Sequence, residues 1–555
     1  MLKEIISGIP INRQFTMQEW QENLAQDSVI EIREATGIDV IRNASSLTSS
    51  DVEKIIPVAK NIYGKILENS FLNSEIKVFT ANLILCKIFE LWKQSAMPAL
   101  FFIKIRQVFT IPQIIAALET FMTIPANQTW VLNFFHENKS IFPHKNNKIH
   151  TIALYYPRIY SGGIEKYISL IIPIYIQMGY RVILFNEEYK PEAEYSLPPV
   201  SDLFKRVIIK SPQKILERLN EFEKLLKEYE VDLFICQDQV TYLIPPQFKI
   251  LFLKLSGLKA GMHFHESILL HLAIIPSRHH LFYRLADFLV TLSNPFQRYW
   301  QNFGIRTYYV PNPVKIEGAE NFHGRDPKKN SNTILYVGRI AVALDKNTFA
   351  ILSILNEVVK TIPSAKLKIV GEVTNEEVFI EMKKFIAANH LENNVEFCGY
   401  HKDVAPFYES ADVMLSTSKA EGWGLSITES KFYELPLVAY ELPDSELLRG
   451  GKGCEIVKQD DYKAAARAVV KILTDTEYRC KLSAEARESL QPFIDYDIVG
   501  AWKRIFDDLD NDSPVPPYDI ENEKIQTFIL NELLEQKLQV RKLSAQLKNV
   551  HLGIT

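Results

Sequence analysis

The chain has 555 residues, 47% of them hydrophobic and 23% charged, with a formal net charge of −4. That length exceeds what a single hydrophobic core serves and predicts two or three domains, while the charge balance argues against nucleic acid as a partner. The opening MLKEIISGIPINRQF lacks the layout of a signal peptide, and the apolar run from Ser169 to Phe185 is broken by Gln177 and Arg181, too short a stretch to span a bilayer. Residues 1–146 read as a mainly helical extension. In it Ser50-Asp-Val-Glu53 has a capping-box pattern ahead of an amphipathic run through Ile55, Ile56, Ala59, Ile62, Tyr63 and Ile66, with Pro57 predicted to kink the helix. The aromatic and aliphatic stretch Leu100–Met122 suits core packing within this extension, with contact to a membrane surface as the alternative.

Residues 147–314 change rhythm. Apolar segments at Lys148–Tyr155, Val182–Phe185, Val231–Cys236, Gly261–Phe264 and Phe288–Leu292 alternate with helical patterns, as in a doubly wound α/β domain. Tyr309-Val-Pro-Asn-Pro-Val314 reads as an interdomain linker. A second α/β set spans residues 315–500, with strands expected at Thr333–Gly338, Lys366–Gly371, Val395–Gly399, Val413–Leu415 and Leu437–Tyr440. Residues 501–555 hold the end of a helix around Ile498–Leu509 and then a segment in which Ile529, Leu533, Val540, Leu543, Leu547 and Val550 follow a heptad. Those heptads predict either an oligomer or packing against the helical extension. The five cysteines form no C-x-x-C pair, as expected of buried thiols in a reducing cytosol. The expected location is therefore cytoplasmic, with peripheral attachment to the inner face of the membrane as a variant.

The chemistry-bearing residues gather where strands end. Lys419–Tyr440, KAEGWGLSITESKFYELPLVAY, sets Glu421 and Glu429 eight residues apart in a strand, loop, helix, strand order. Gly424 precedes the helix, and the N–H groups near Leu425 and Ser426 at its start suit a phosphate. Glu421 in the loop and Glu429 about two turns on can reach a sugar and a ribose, although spacing alone also allows an ordinary βαβ turn. Gly162 and Gly163 follow the first strand, where two glycines permit close approach of a ligand. His263 and His265 share one strand face. They are two structural histidines or could touch one ion, but no third ligand has metal-site spacing. Gly338 and Arg339 end another strand and Lys346 follows, cations suited to a diphosphate or else merely solvated. Asp508-Leu-Asp510 spells D-x-D, but at a helix end among other acids, where a solvated face is expected. No metal is predicted.

Together these segments resemble the retaining glycosyltransferases of family 4, whose signature runs E-G-[FW]-G-L…E-A…G-x-P-V-V-A. The resemblance covers roughly residues 148–510. It implies the GT-B fold, with two Rossmann-like doubly wound domains facing a cleft, here with an α-helical N-terminal extension and a C-terminal helix. It implies that Glu421 contacts the donor sugar, that Glu429 binds the ribose hydroxyls, and that Arg339, Lys346 and the backbone at Gly424, Leu425 and Ser426 meet the diphosphate. His265 is expected to hydrogen-bond the sugar, while Gly162, Gly163 and Gly338 line the cleft. Trp502 matches a terminal helix that crosses back onto the first domain. Ser430 stands where the family has Ala, and Asn347 where Gly follows the Lys. The implied activity is metal-independent transfer of a hexose from a UDP- or GDP-linked sugar, with no cofactor, to a sugar, lipid-linked or protein acceptor in surface polysaccharide, glycolipid or glycoprotein synthesis. The runner-up is a non-catalytic partner subunit of the same shape.

Overall fold

The computed structural model describes residues 1–9, 16–40, 44–143, 148–159, 162–189, 197–209, 215–237, 248–274, 282–316, 322–340 and 346–514. The C-terminal heptads lie outside the described residues.

The first part of the chain is helical: Met17–Thr36, Ser49–Glu68, Ser74–Gln94, Pro98–Val108, Ile111–Phe121 and Pro125–Glu137 are its longer helices. Threonines fix several of the starts. Thr48, in an extended conformation, accepts from Asp51 N with its hydroxyl and donates its own backbone N–H to the Asp51 carboxylate, so the capping box is Thr48–Asp51 and not Ser50–Glu53. Glu53 instead reaches Lys104 at 2.8 Å. The helix continues through Pro57, which lies on its exposed face, where water can serve the carbonyl that loses its N–H partner. Residues 100–122 point largely inward. Phe101, Ile114, Ile115 and Leu118 share one hydrophobic cluster with Phe222, Phe252 and Leu253 of the following α/β domain. The helical region and that domain thus bury their apolar faces against each other. Among the described residues no helix is long and apolar enough to cross a membrane.

Two parallel sheets follow. The first contains β1 (Thr151–Tyr155), β3 (Arg181–Asn186), β5 (Phe204–Ile208), β6 (Leu233–Cys236), β7 (Lys259–Phe264), β8 (Phe288–Thr291) and β9 (Thr307–Tyr309). Two short strands, β2 (Arg158–Ile159) and β4 (Glu188–Tyr189), pair separately. The order is β5-β3-β1-β6-β7-β8-β9, so the chain winds outward in both directions from a switch between β1 and β6. The second sheet contains β10 (Thr333–Val337), β11 (Lys366–Val370), β12 (Val395–Gly399), β13 (Val413–Ser416), β14 (Leu437–Tyr440) and β15 (Cys454–Val457). Its order, β12-β11-β10-β13-β14-β15, puts the switch between β10 and β13. The central strands are buried from end to end, as helices on both faces require.

The helix Ile498–Asp510 returns to the first sheet's domain. Trp502 is fully buried there among Ile152, Tyr167, Ile171 and Tyr175, with its ring 5.2 Å from that of Tyr175. Asp508 and Asp510 correct the expectation of a solvated acidic face. Asp508 accepts from Tyr308 Oη at 2.6 Å. Asp510 receives Lys259 Nζ at 2.7 Å and the backbone N–H of Ile149 at 3.1 Å. Both are anchors of the returning helix.

Candidate active site

The carboxyl ends of β10 and β13 carry one wall of the cleft. After β13 the chain turns through Ser418, Glu421 and Gly422 before the helix Leu425–Phe432. Gly424 caps that helix at φ 90°, ψ 73°, a left-handed conformation that glycine adopts without the Cβ clash of other residues. Glu421 Oε1 receives Lys346 Nζ at 2.5 Å and Ser418 Oγ at 2.6 Å. Glu429 sits in the second turn of the helix. Its Oε2 accepts from Tyr408 Oη at 2.8 Å, and its Oε1 faces Lys166 Nζ at 3.0 Å. Gly338 follows β10, its N–H donating to Val370 O at 2.9 Å, and the Arg339 side chain after it is exposed. Leu425 and Ser426 form the first turn of the helix. The Ser430 hydroxyl, buried, donates to Leu435 O at 2.8 Å, so the polar group in place of Ala is satisfied within its own helix end.

The opposite wall comes from the first sheet. Gly162 is the N-cap of the helix Gly163–Gln177, and a Cβ on Gly163 would stand 3.5 Å from Leu425 Cδ1 of the other domain. Ser161 lies outside the described residues. His265 follows β7, and its Nε2 lies 2.8 Å from Gln237 Oε1 at the end of β6. Burial pushes the His265 imidazole down to about 3, so it is neutral at ordinary pH. His263 is fully buried, its ring 4.2 Å from that of His265 and edge-on to Tyr167. Its burial, and after that the neighbouring His265, hold it well below the usual imidazole range. Among the described residues no group of three or more His, Cys, Asp or Glu side chains could hold a metal ion.

The walls touch. A Cβ on Gly422 would lie 1.7 Å from His265 O, so only glycine lets the Glu421 loop meet the end of β7. Asp444 and Glu446, beyond β14, cap helices of the other domain: Asp444 Oδ2 accepts from Ile268 N at 2.9 Å, and Glu446 Oε1 from Asn294 N at 2.7 Å. Burial raises the Asp444 carboxyl to about 6.

Glu421, Lys346, Glu429, Gly424, Leu425, Ser426, Gly163 and His265 are thus brought to one cleft, at the switch points where α/β sheets take ligands. Arg339 is at the same strand end with its side chain in solvent. Sequence reading missed Lys166, Gln237, Tyr408 and Ser418. Gln237 and Ser418 stand directly at strand ends, a positional signal that was available. Lys166 and Tyr408 reach Glu429 from 263 and 21 residues away, and no local pattern marks them.

Residues 331–475 match the family described as "Glycosyl transferases group 1". Two curated relatives are similar to parts of the chain. The poly(glycerol-phosphate) alpha-glucosyltransferase of Bacillus subtilis is 25% identical over 201 residues, 36% of this chain and 26% of that protein. The amylovoran biosynthesis glycosyltransferase AmsD of Erwinia amylovora is 29% identical over 185 residues, 32% of this chain and 48% of that protein. The chain therefore spans between about a quarter and about half of the length of these relatives. Among solved structures, HepE of Anabaena in complex with UDP and glucose superposes with a TM-score of 0.51 at 18% identity, covering 65% of this chain and all of that one. Two parallel Rossmann-like sheets, their facing carboxyl ends and these likenesses give the chain the GT-B fold, with the group 1 glycosyl transferase match in its second domain.

Proposed function

We propose that the chain is a retaining glycosyltransferase that moves a hexose from a nucleoside-diphosphate sugar to an acceptor hydroxyl during synthesis of a surface polysaccharide, glycolipid or glycoprotein. The observation that carries this reading is the pairing of Glu421 with Lys346 and of Glu429 with Tyr408 around the start of one helix. That arrangement supplies an anion-binding helix end, a cation beside it and two oriented carboxylates. The ribose would bind Glu429. The diphosphate would lie against Leu425 and Ser426 and draw Lys346 and the exposed Arg339 onto its oxygens. Glu421 and the neutral His265 would hold the sugar.

The bond from the anomeric carbon to the diphosphate then breaks as negative charge builds on the leaving group, where Lys346, Arg339 and the helix end stabilise it. The acceptor oxygen bonds the same face of the sugar, and its proton leaves on the departing phosphate. Neither glutamate protonates the leaving group, which separates the pair from that of a glycosidase. The UDP and glucose held by HepE support a UDP-sugar as donor.

Thermal unfolding with UDP, GDP, ADP and dTDP tests the reading. A nucleotide at about 100 times its Kd stabilises the fold by roughly 2.7 kcal/mol. The expected result is a shift with one nucleotide that Glu429→Ala abolishes. No shift with any of the four would turn the assignment to a non-catalytic subunit.

A further inference from the structure

The Lys166 side chain is aimed across the cleft. It leaves the first turn of Gly163–Gln177 on one domain and meets Glu429 of the other at 3.0 Å, with both side chains largely shielded, 14% and 12% exposed. The Glu429 carboxylate offers about four lone-pair sites. Tyr408 Oη takes one on Oε2 and Lys166 one on Oε1, which leaves acceptor capacity on both oxygens.

We propose that Lys166 is a positioning residue that ties Glu429 to the opposite domain and so makes nucleotide binding and closure of the cleft one coupled event. The inference rests on the reading of Glu429 as the ribose-binding group and adds what controls it. The two ends of the bond stand on different domains, so it exists only while the cleft is closed. When the cleft opens, Glu429 keeps Tyr408 alone and is free to turn from the orientation that Lys166 imposes. A ribose diol donates hydrogen bonds into the lone pairs left over, so the sugar and Lys166 do not compete. Each holds the carboxylate in the geometry that the other needs, and the coupling is reciprocal.

The test compares the full chain with Lys166→Met, which keeps the aliphatic stem, and Lys166→Arg, which keeps the charge. Calorimetry with the nucleoside diphosphate that stabilises the wild type gives Kd, and small-angle scattering with and without it gives compaction. The expected result is a rise in Kd of about tenfold in Lys166→Met, with the nucleotide-induced compaction lost and both recovered in Lys166→Arg. Unfolding temperatures without nucleotide show whether each variant is folded, and Lys166→Gln replaces Lys166→Met if it is not. Wild-type Kd and compaction in the uncharged variant would overturn the tie while leaving the ribose reading intact. Absence of nucleotide binding by the wild type would overturn the ribose reading itself, and the tie with it.

Discussion

The two walls of the cleft are built on opposite electrostatic plans. On the second sheet's side the key groups are charged and partnered: Glu421 with Lys346 and Ser418, Glu429 with Lys166 and Tyr408. On the first sheet's side Lys166 reaches across to Glu429, and the groups that stay at the wall are neutral: His265, His263 and Tyr167 form a buried ring cluster. Both ring nitrogens of His263 lack a protein partner among the described residues. Charge, that of Lys166 included, collects where an anionic leaving group would form, and the ring cluster is left uncharged. An imidazole held neutral by burial can still orient a hydroxyl without competing for the phosphate.

That contrast can be broken most sharply on the charged wall. If Glu421 holds the sugar as proposed, Glu421→Ala is expected to lower kcat by about 100-fold or more. Glu429→Ala is expected to raise the donor KM strongly with a smaller change in kcat. Steady-state kinetics with the donor found by the nucleotide screen separates the two, and unchanged constants in both variants would reject the roles.

The seam between the walls carries a smaller effect. Asp444 is buried, with its carboxyl raised to about 6 from an ordinary 3.8. The folded chain therefore holds that proton more tightly than the unfolded chain does. The stability this supplies is full below about pH 4 and is lost as pH rises through about 6. Asp444→Asn keeps an acceptor for Ile268 N–H and removes the charge. It is expected to be more stable than the wild type by about 1–3 kcal/mol near pH 8, with the difference fading below about pH 4. Denaturant unfolding at several pH values measures this, and a gain that does not depend on pH would contradict it.

The smallest expected effect tests the neutral wall. His265 has its imidazole lowered to about 3, so its contribution to stability is present above the ordinary value of 6.5 and is lost only as pH falls toward 3. Its ring nitrogens should keep neutral-imidazole NMR shifts between about pH 5 and 8, and no step in the activity profile over that range should vanish in His265→Gln. A titration near 6.5 assigned to His265 would show this wall to be more open to water than its packing indicates.

The interior strands were legible because burial on both faces writes an unbroken apolar run, as in Leu233–Cys236 and Val413–Ser416. The strands that escaped are at or near the sheet edges. Phe204–Ile208 carries Lys205 and Arg206, Thr307–Tyr309 runs straight into the proline-rich linker, and Cys454–Val457 is half-exposed. The same divide runs through the cleft. Glu421, Gly424 and Glu429 lie within nine residues and could be read together. Ser418 lies close by, but the lysines and Tyr408 that hold the two carboxylates come from elsewhere in the chain. Lys346 lies 75 residues before Glu421, and Lys166 was visible only as a helix-start residue after two glycines. Spacing shows which residues share a turn, but only the packing within and between the domains shows which charges meet.

The bond from Ile149 N to Asp510, at 3.1 Å, joins the start of the first sheet to the end of the last described helix. Ile149 precedes β1, so this junction lies at the amino ends of the strands, away from the cleft. The two-sheet unit thus begins and ends at one corner on its far side, as domains that tolerate grafting often do. Chain added or exchanged at that corner would ride behind the two sheets, leaving the mouth of the cleft clear.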